Sequence, residues 1–153
     1  NKENTSPILV VGNHETKYGA YLKNKFKSYS NIRFMGGIYN LEHLNNLRYF
    51  SNIYFHGHSV GGTNPSLLEA MASKAFVAAH NNEFNKGVLK DNAVYFSNAE
   101  EVKNILQTFE KNNNLHFIQN NFESIVKEFN WNKINGKYLQ LFEESISRFK
   151  GGN

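Results

Sequence analysis

The chain contains no cysteine, a single aspartate (Asp91) and a single tryptophan (Trp131). Missing thiols exclude disulfides, zinc–thiolate centres and cysteine nucleophiles, and they fit a reducing compartment. One aspartate excludes paired-aspartate metal sites, including the Asp-x-Asp manganese sites of one large class of sugar transferases. No apolar run approaches the ~20 residues of a membrane helix, and Asn1-Lys-Glu-Asn-Thr-Ser6 reads as neither signal peptide nor anchor. The expectation is a soluble, cytoplasmic protein. Its 17 Lys and Arg are scattered rather than gathered into a basic arm, so the net charge of +4 does not point to nucleic acid.

At 153 residues and 40% hydrophobic composition, the chain can build one core and is expected to form a single domain over residues 1–153. Short apolar runs recur at Ile8–Val11, Ile32–Met35, Ile53–Phe55, Ala75–Ala79 and Ala93–Phe96. Such runs predict strands buried on both faces. Between them, Tyr18–Lys27, Leu41–Phe50, Pro65–Ser73 and Phe84–Leu89 carry apolar residues at helical spacing. This alternation predicts an α/β fold, a Rossmann-like open parallel sheet flanked by helices. Beyond Ser97 the pattern is helical only, with segments Ala99–Lys111, Phe117–Phe129 and Lys133–Phe149. Trp131 is expected to anchor the packing of the last of these.

The richest stretch is His56-Gly-His-Ser-Val-Gly-Gly-Thr-Asn-Pro-Ser-Leu-Leu-Glu-Ala-Met-Ala72, a strand running through a glycine pair into a capped helix. Gly61 and Gly62 clear side chains from the main chain, Asn64 is a favoured N-cap, and Pro65 suits the first helical position. The amides of Ser66 and Leu67 are expected to be free to bind an anion with the help of the helix dipole. Glu69, just over a turn further on, is expected to reach back toward the same ligand, because helical side chains lean toward the N-terminus. Open α/β sheets bind ligands beyond the carboxyl ends of their strands. That edge gathers Gly12 and Asn13, Gly36 and Gly37, the 56–64 loop, and His80 to Glu83. Glu83 is expected either to meet the ligand or to cap the helix that follows.

The run Gly61-Gly-Thr-Asn-Pro-Ser-Leu-Leu-Glu-Ala-Met-Ala72, with Val10-Val-Gly12, Phe34-Met-Gly36, the Leu41–Phe50 helix and Phe129-Asn-Trp131, resembles the C-terminal, donor-binding domain of retaining GT-B glycosyltransferases (glycosyltransferase family 4-like). It is most similar to bacterial rhamnosyltransferases of surface and capsular polysaccharide biosynthesis, in which the run from His56 to Ala70 occurs nearly verbatim. The resemblance implies a metal-independent transfer of a sugar, L-rhamnose in that subgroup, from a dTDP- or UDP-linked donor to a growing, lipid-linked glycan at the inner face of the membrane. It implies that Glu69 meets the ribose hydroxyls, that backbone around Thr63, Asn64, Ser66 and Leu67 meets the diphosphate and sugar, and that the loop at Gly37 lies against the base.

Two departures from the family pattern follow. Most relatives carry a glutamate eight positions before the second one, where this chain has Gly61; His58 and Ser59 are the candidates to replace its sugar contacts. The Arg and Lys that neutralise the diphosphate belong to a strand–helix unit preceding Ile8, and the acceptor-binding N-terminal domain precedes that. The chain is therefore expected to be an inactive fragment of a two-domain enzyme, and no catalytic base is assigned within it. Two other readings stand beside this one: a non-catalytic nucleotide-binding module, and a hydrolase binding zinc through His56 and His58 with His14, His80 or Glu83. A dinucleotide oxidoreductase is disfavoured because Val10-Val-Gly-Asn-His14 lacks the second and third fingerprint glycines.

Overall fold

In the computed structural model, which describes residues 6–150, strands alternate with helices as far as residue 96 and only helices follow. The protein is α/β, and the chain divides after Leu44 into two compact units.

The first unit contains β1 (Ile8–Val11), α1 (Lys17–Phe26) and β2 (Ile32–Gly36). The strands pair in parallel from Ile8 opposite Ile32 to Val10 opposite Phe34, and the register then slips so that Val11 lies opposite Gly36. The slip occurs beside Gly36, whose φ of +74° suits glycine alone. Thr16 caps α1 by accepting a hydrogen bond from the Gly19 amide at 3.0 Å. Gly19 is buried against the His14 carbonyl, and a Cβ there would lie 2.0 Å from that oxygen. Gly19→Ala is therefore expected to cost about 2–3 kcal/mol despite alanine's higher helix propensity. Gly87→Ala, in a helix with nothing within 4 Å of the new methyl, is expected to stabilise by about 0.5–1 kcal/mol. Urea unfolding of both variants checks the opposite signs.

The second unit begins within α2 (Leu41–Phe50) and continues through β3 (Tyr54–His56), α3 (Pro65–Ala72), β4 (Val77–His80), α4 (Glu83–Leu89) and β5 (Val94–Phe96). Its strands lie in the order β3-β4-β5, all parallel, with His56 opposite Ala79 and Ala79 opposite Tyr95. Ala75 to Ala79, the two residues before the central strand and its first three positions, are fully buried, as an unbroken apolar run requires. One face packs Val77 and Ala79 against Leu67 and Met71 of α3 and Val88 and Leu89 of α4. The other packs Phe76, Ala78 and Val94 against Ile105 of α5 (Ala99–Thr108) and Ile118 of α6 (Leu115–Glu128). Helix α3 closes through bonds from Lys74 N to Met71 O and Ala75 N to Ala70 O. Lys74 takes the left-handed position of this motif, at φ +54°, where glycine is usual.

The structure departs from the sequence reading in four places. The described strands form two parallel ladders, β1-β2 and β3-β4-β5, rather than one sheet. The β1 residues are each between 37 and 41% exposed, although their composition predicts burial on both faces. Composition records what a strand prefers, not what covers it, and a unit of two strands and one helix covers little. The segment expected as one helix to Lys111 ends at Thr108, and a 3₁₀ turn follows over Lys111–Asn114. Trp131, the expected packing anchor, opens α7 (Trp131–Lys150) and is 77% exposed, as are most large apolar side chains of that helix to a lesser or similar degree.

Candidate functional site

The start of α3 is built as its sequence demands. Asn64 is extended and its side-chain oxygen accepts from the Ser66 amide at 3.0 Å and from the Ser66 hydroxyl at 2.8 Å, with Pro65 opening the helix. The Leu67 and Leu68 amides both donate to the Asn64 carbonyl, at 3.0 and 3.3 Å. The Ser66 and Leu67 amides are thus engaged, contrary to the expectation that they are free. The physical reason is that a good N-cap satisfies the very donors a ligand would otherwise meet. The available donors lie earlier: among the described residues, no partner accepts from the Gly61, Gly62 or Thr63 amides. These residues are exposed, and no atom lies within 4 Å of a Cβ built on Gly61 or Gly62. Gly61, at φ +107°, has a conformation that side chains disfavour.

Two asparagines hold this loop to the end of the next strand. The His58 carbonyl accepts from Asn82 Nδ2 at 2.9 Å and from Asn85 Nδ2 at 3.1 Å, while Asn85 Nδ2 also donates to the His80 carbonyl at 2.9 Å. Asn82 caps α4 by accepting from the Asn85 amide at 2.9 Å. Sequence reading did not single out Asn85, whose partner, the His58 carbonyl, lies 27 residues away. Glu83 opens α4 and is exposed. The capping is done by Asn82, and Glu83 adds a favourable charge at the helix N-terminus.

Glu69 does not stand alone. Its Oε2 accepts from Arg48 Nη2 at 2.7 Å, and Arg48, on α2, is 6% exposed whereas the Glu69 side chain is 45% exposed. Arg48 was not recognised in the sequence, because its partner lies 21 residues away with a strand between.

His56 is buried at the end of β3, and its ring stacks on His58 with centroids 4.7 Å apart. Its Nε2 is buried without a partner among the described residues. Burial, and secondarily the neighbouring His58, pull its pKa down from 6.5 to about 4. Folded His56 therefore stays neutral where the unfolded chain takes up a proton, so stability falls as pH drops from about 6.5 toward 4. The loss expected from this group is about 3 kcal/mol at the lower end of that window. Urea unfolding at pH 7 and pH 4.5 should show His56→Phe losing less stability on acidification than wild type, with other titrating groups cancelling in the comparison.

In the first unit, Gly12 and Gly37 follow β1 and β2. The Gly12 amide donates to the Gly36 carbonyl at 2.9 Å, and Gly37 is exposed beneath the Tyr39 ring. The zinc alternative gains no donor set: among the described residues, no three His, Cys, Asp or Glu side chains are grouped to hold a metal. None of the described helices is long and apolar enough to cross a membrane. No protein-family model matches the chain, and no curated protein matches it.

Proposed function

We propose that this chain is the donor-binding part of a metal-independent, retaining glycosyltransferase with a Rossmann-like GT-B architecture. The observation that carries this reading is the exposed Gly61-Gly-Thr63 loop. Its three unpartnered amides lead into the Asn64-capped helix at the carboxyl edge of a parallel ladder, with Glu69 in the second turn. Backbone N–H groups beside a helix N-terminus suit an anion, and ligands of open α/β sheets bind at that edge. In this reading Gly61, Gly62 and Thr63 donate to the diphosphate. Asn64 and Ser66 fix the helix end, Glu69 accepts from sugar hydroxyls of the nucleoside, and His58 and Ser59 border the transferred sugar.

The chemistry follows from charge. As the glycosidic bond to the diphosphate breaks, negative charge grows on the leaving phosphate, and donors already oriented stabilise it without reorganising. Each such donor is worth roughly 3–4 kcal/mol in favourable cases. In this reading the acceptor hydroxyl, its base and the remaining phosphate cations would come from an acceptor domain and a strand–helix unit outside this chain. The sugar is L-rhamnose or a related hexose on dTDP or UDP, passed to a lipid-linked glycan at the inner face of a bacterial membrane.

Gly61, where related enzymes have a glutamate, favours a second reading: a nucleotide-binding module that transfers nothing. Thermal melting with UDP, GDP or dTDP tests the shared first step, since a ligand that binds only the folded state raises the midpoint. At least one diphosphate is expected to do so, and its nucleoside much less. Sugar release from the matching donor, by this chain joined to an acceptor domain, separates transferase from module.

A further inference from the structure

We infer that Arg48 is a positioning residue for Glu69: it holds one carboxylate oxygen so that the other is presented to the sugar hydroxyls of a bound nucleotide. The inference rests on the donor-site reading above and assigns a function to a residue outside the loop.

The geometry is a relay across α2 and α3. Arg48 Nη2 donates to Glu69 Oε2 at 2.7 Å, and Nη1 donates to Asn45 Oδ1 at 3.0 Å. Ser73 Oγ, at the end of α3, lies 3.0 Å from the same Asn45 oxygen and 2.7 Å from the Glu69 carbonyl. The guanidinium is thereby fixed at two points, and its Nε is buried without a partner among the described residues. Burying a cation is costly, and a single half-exposed carboxylate returns little of that cost as stability. What the arrangement does achieve is a fixed Glu69 side chain: a glutamate loses rotamer freedom when it binds a ligand, and prior fixation removes that loss from the binding step. Among the described residues, no group bonds Glu69 Oε1, which leaves it available as an acceptor. Lysine cannot substitute, because a single ammonium lacks the planar fork that engages Asn45 and Glu69 together.

The test titrates wild type, Arg48→Lys and Arg48→Met with UDP, GDP and dTDP, each beside its 2′,3′-dideoxy counterpart, by calorimetry. Wild type is expected to bind at least one nucleotide about ten-fold more tightly than its dideoxy form. Both variants are expected to bind the two forms within about three-fold of each other. Full ten-fold preference retained in Arg48→Lys overturns the inference and leaves the donor site standing. Absence of binding to wild type by any of the three nucleotides overturns the donor site and the inference with it. A readout on wild type alone guards against variants that fail to fold. The Arg48 side-chain N–H resonances should shift with the nucleotide and not with its dideoxy form, and equal shifts for both contradict the positioning role.

Discussion

Phe76→Ala should lower the unfolding free energy by about 3–5 kcal/mol, the largest loss expected from any single truncation among the described residues. Phe76 is fully buried immediately before β4, in a cluster with Ala78, Val94, Ile105 and Ile118. Its ring is 6.3 Å from Phe109 and 6.4 Å from Phe117, centroid to centroid. Removing it forfeits transfer of a whole aromatic side chain and leaves a void bounded by a strand and two helices, which rigid elements cannot readily fill. Phe117→Ala, at a half-buried ring on the rim of the same cluster, should cost clearly less. Urea unfolding followed by circular dichroism measures both, and equal losses at the two positions would mean that the β4 core is not arranged as described.

Glu69→Ala should weaken nucleotide binding by about ten- to a hundred-fold, because a carboxylate accepting from hydroxyls makes a stronger hydrogen bond than a neutral group. The same change strips Arg48 of its only carboxylate partner among the described residues, so a loss of folding stability accompanies it. Glu69→Gln separates the two effects. It retains an oxygen for the guanidinium and should fold nearly as well as wild type, yet still bind the nucleotide more weakly. Calorimetric titration beside urea unfolding resolves affinity from stability. Unchanged affinity in a folded Glu69→Gln protein would remove Glu69 from the site.

How much of this was legible in the sequence depended on the range of each interaction. The Asn64 cap and Pro65 depend on neighbours within a turn, and the helix begins where they predict. The strand runs depend on local composition, and the five strands are found within two residues of their expected limits. The occupancy of the Ser66 and Leu67 amides was misread even though it is local, because the cap that marks the helix start also consumes its donors. Arg48 and Asn85 were missed for a different reason. Their partners, Glu69 and the His58 carbonyl, lie 21 and 27 residues away, and nothing in a single sequence reveals a side chain chosen for a distant atom. Burial was least legible of all. Ile8–Val11 and Trp131 have the composition of core residues and are exposed, since cover is a property of neighbouring elements and not of the segment itself.

The decisive measurement is a two-dimensional NMR titration of this chain with UDP, GDP and dTDP. Donor binding at the loop predicts that one nucleotide shifts the amides of Gly61, Gly62 and Thr63 most strongly. Smaller shifts should appear at Glu69 and Arg48, and almost none at the capped Ser66 and Leu67 amides. No response to any of the three at millimolar concentration, or a response confined to residues outside 56–69, contradicts the donor site.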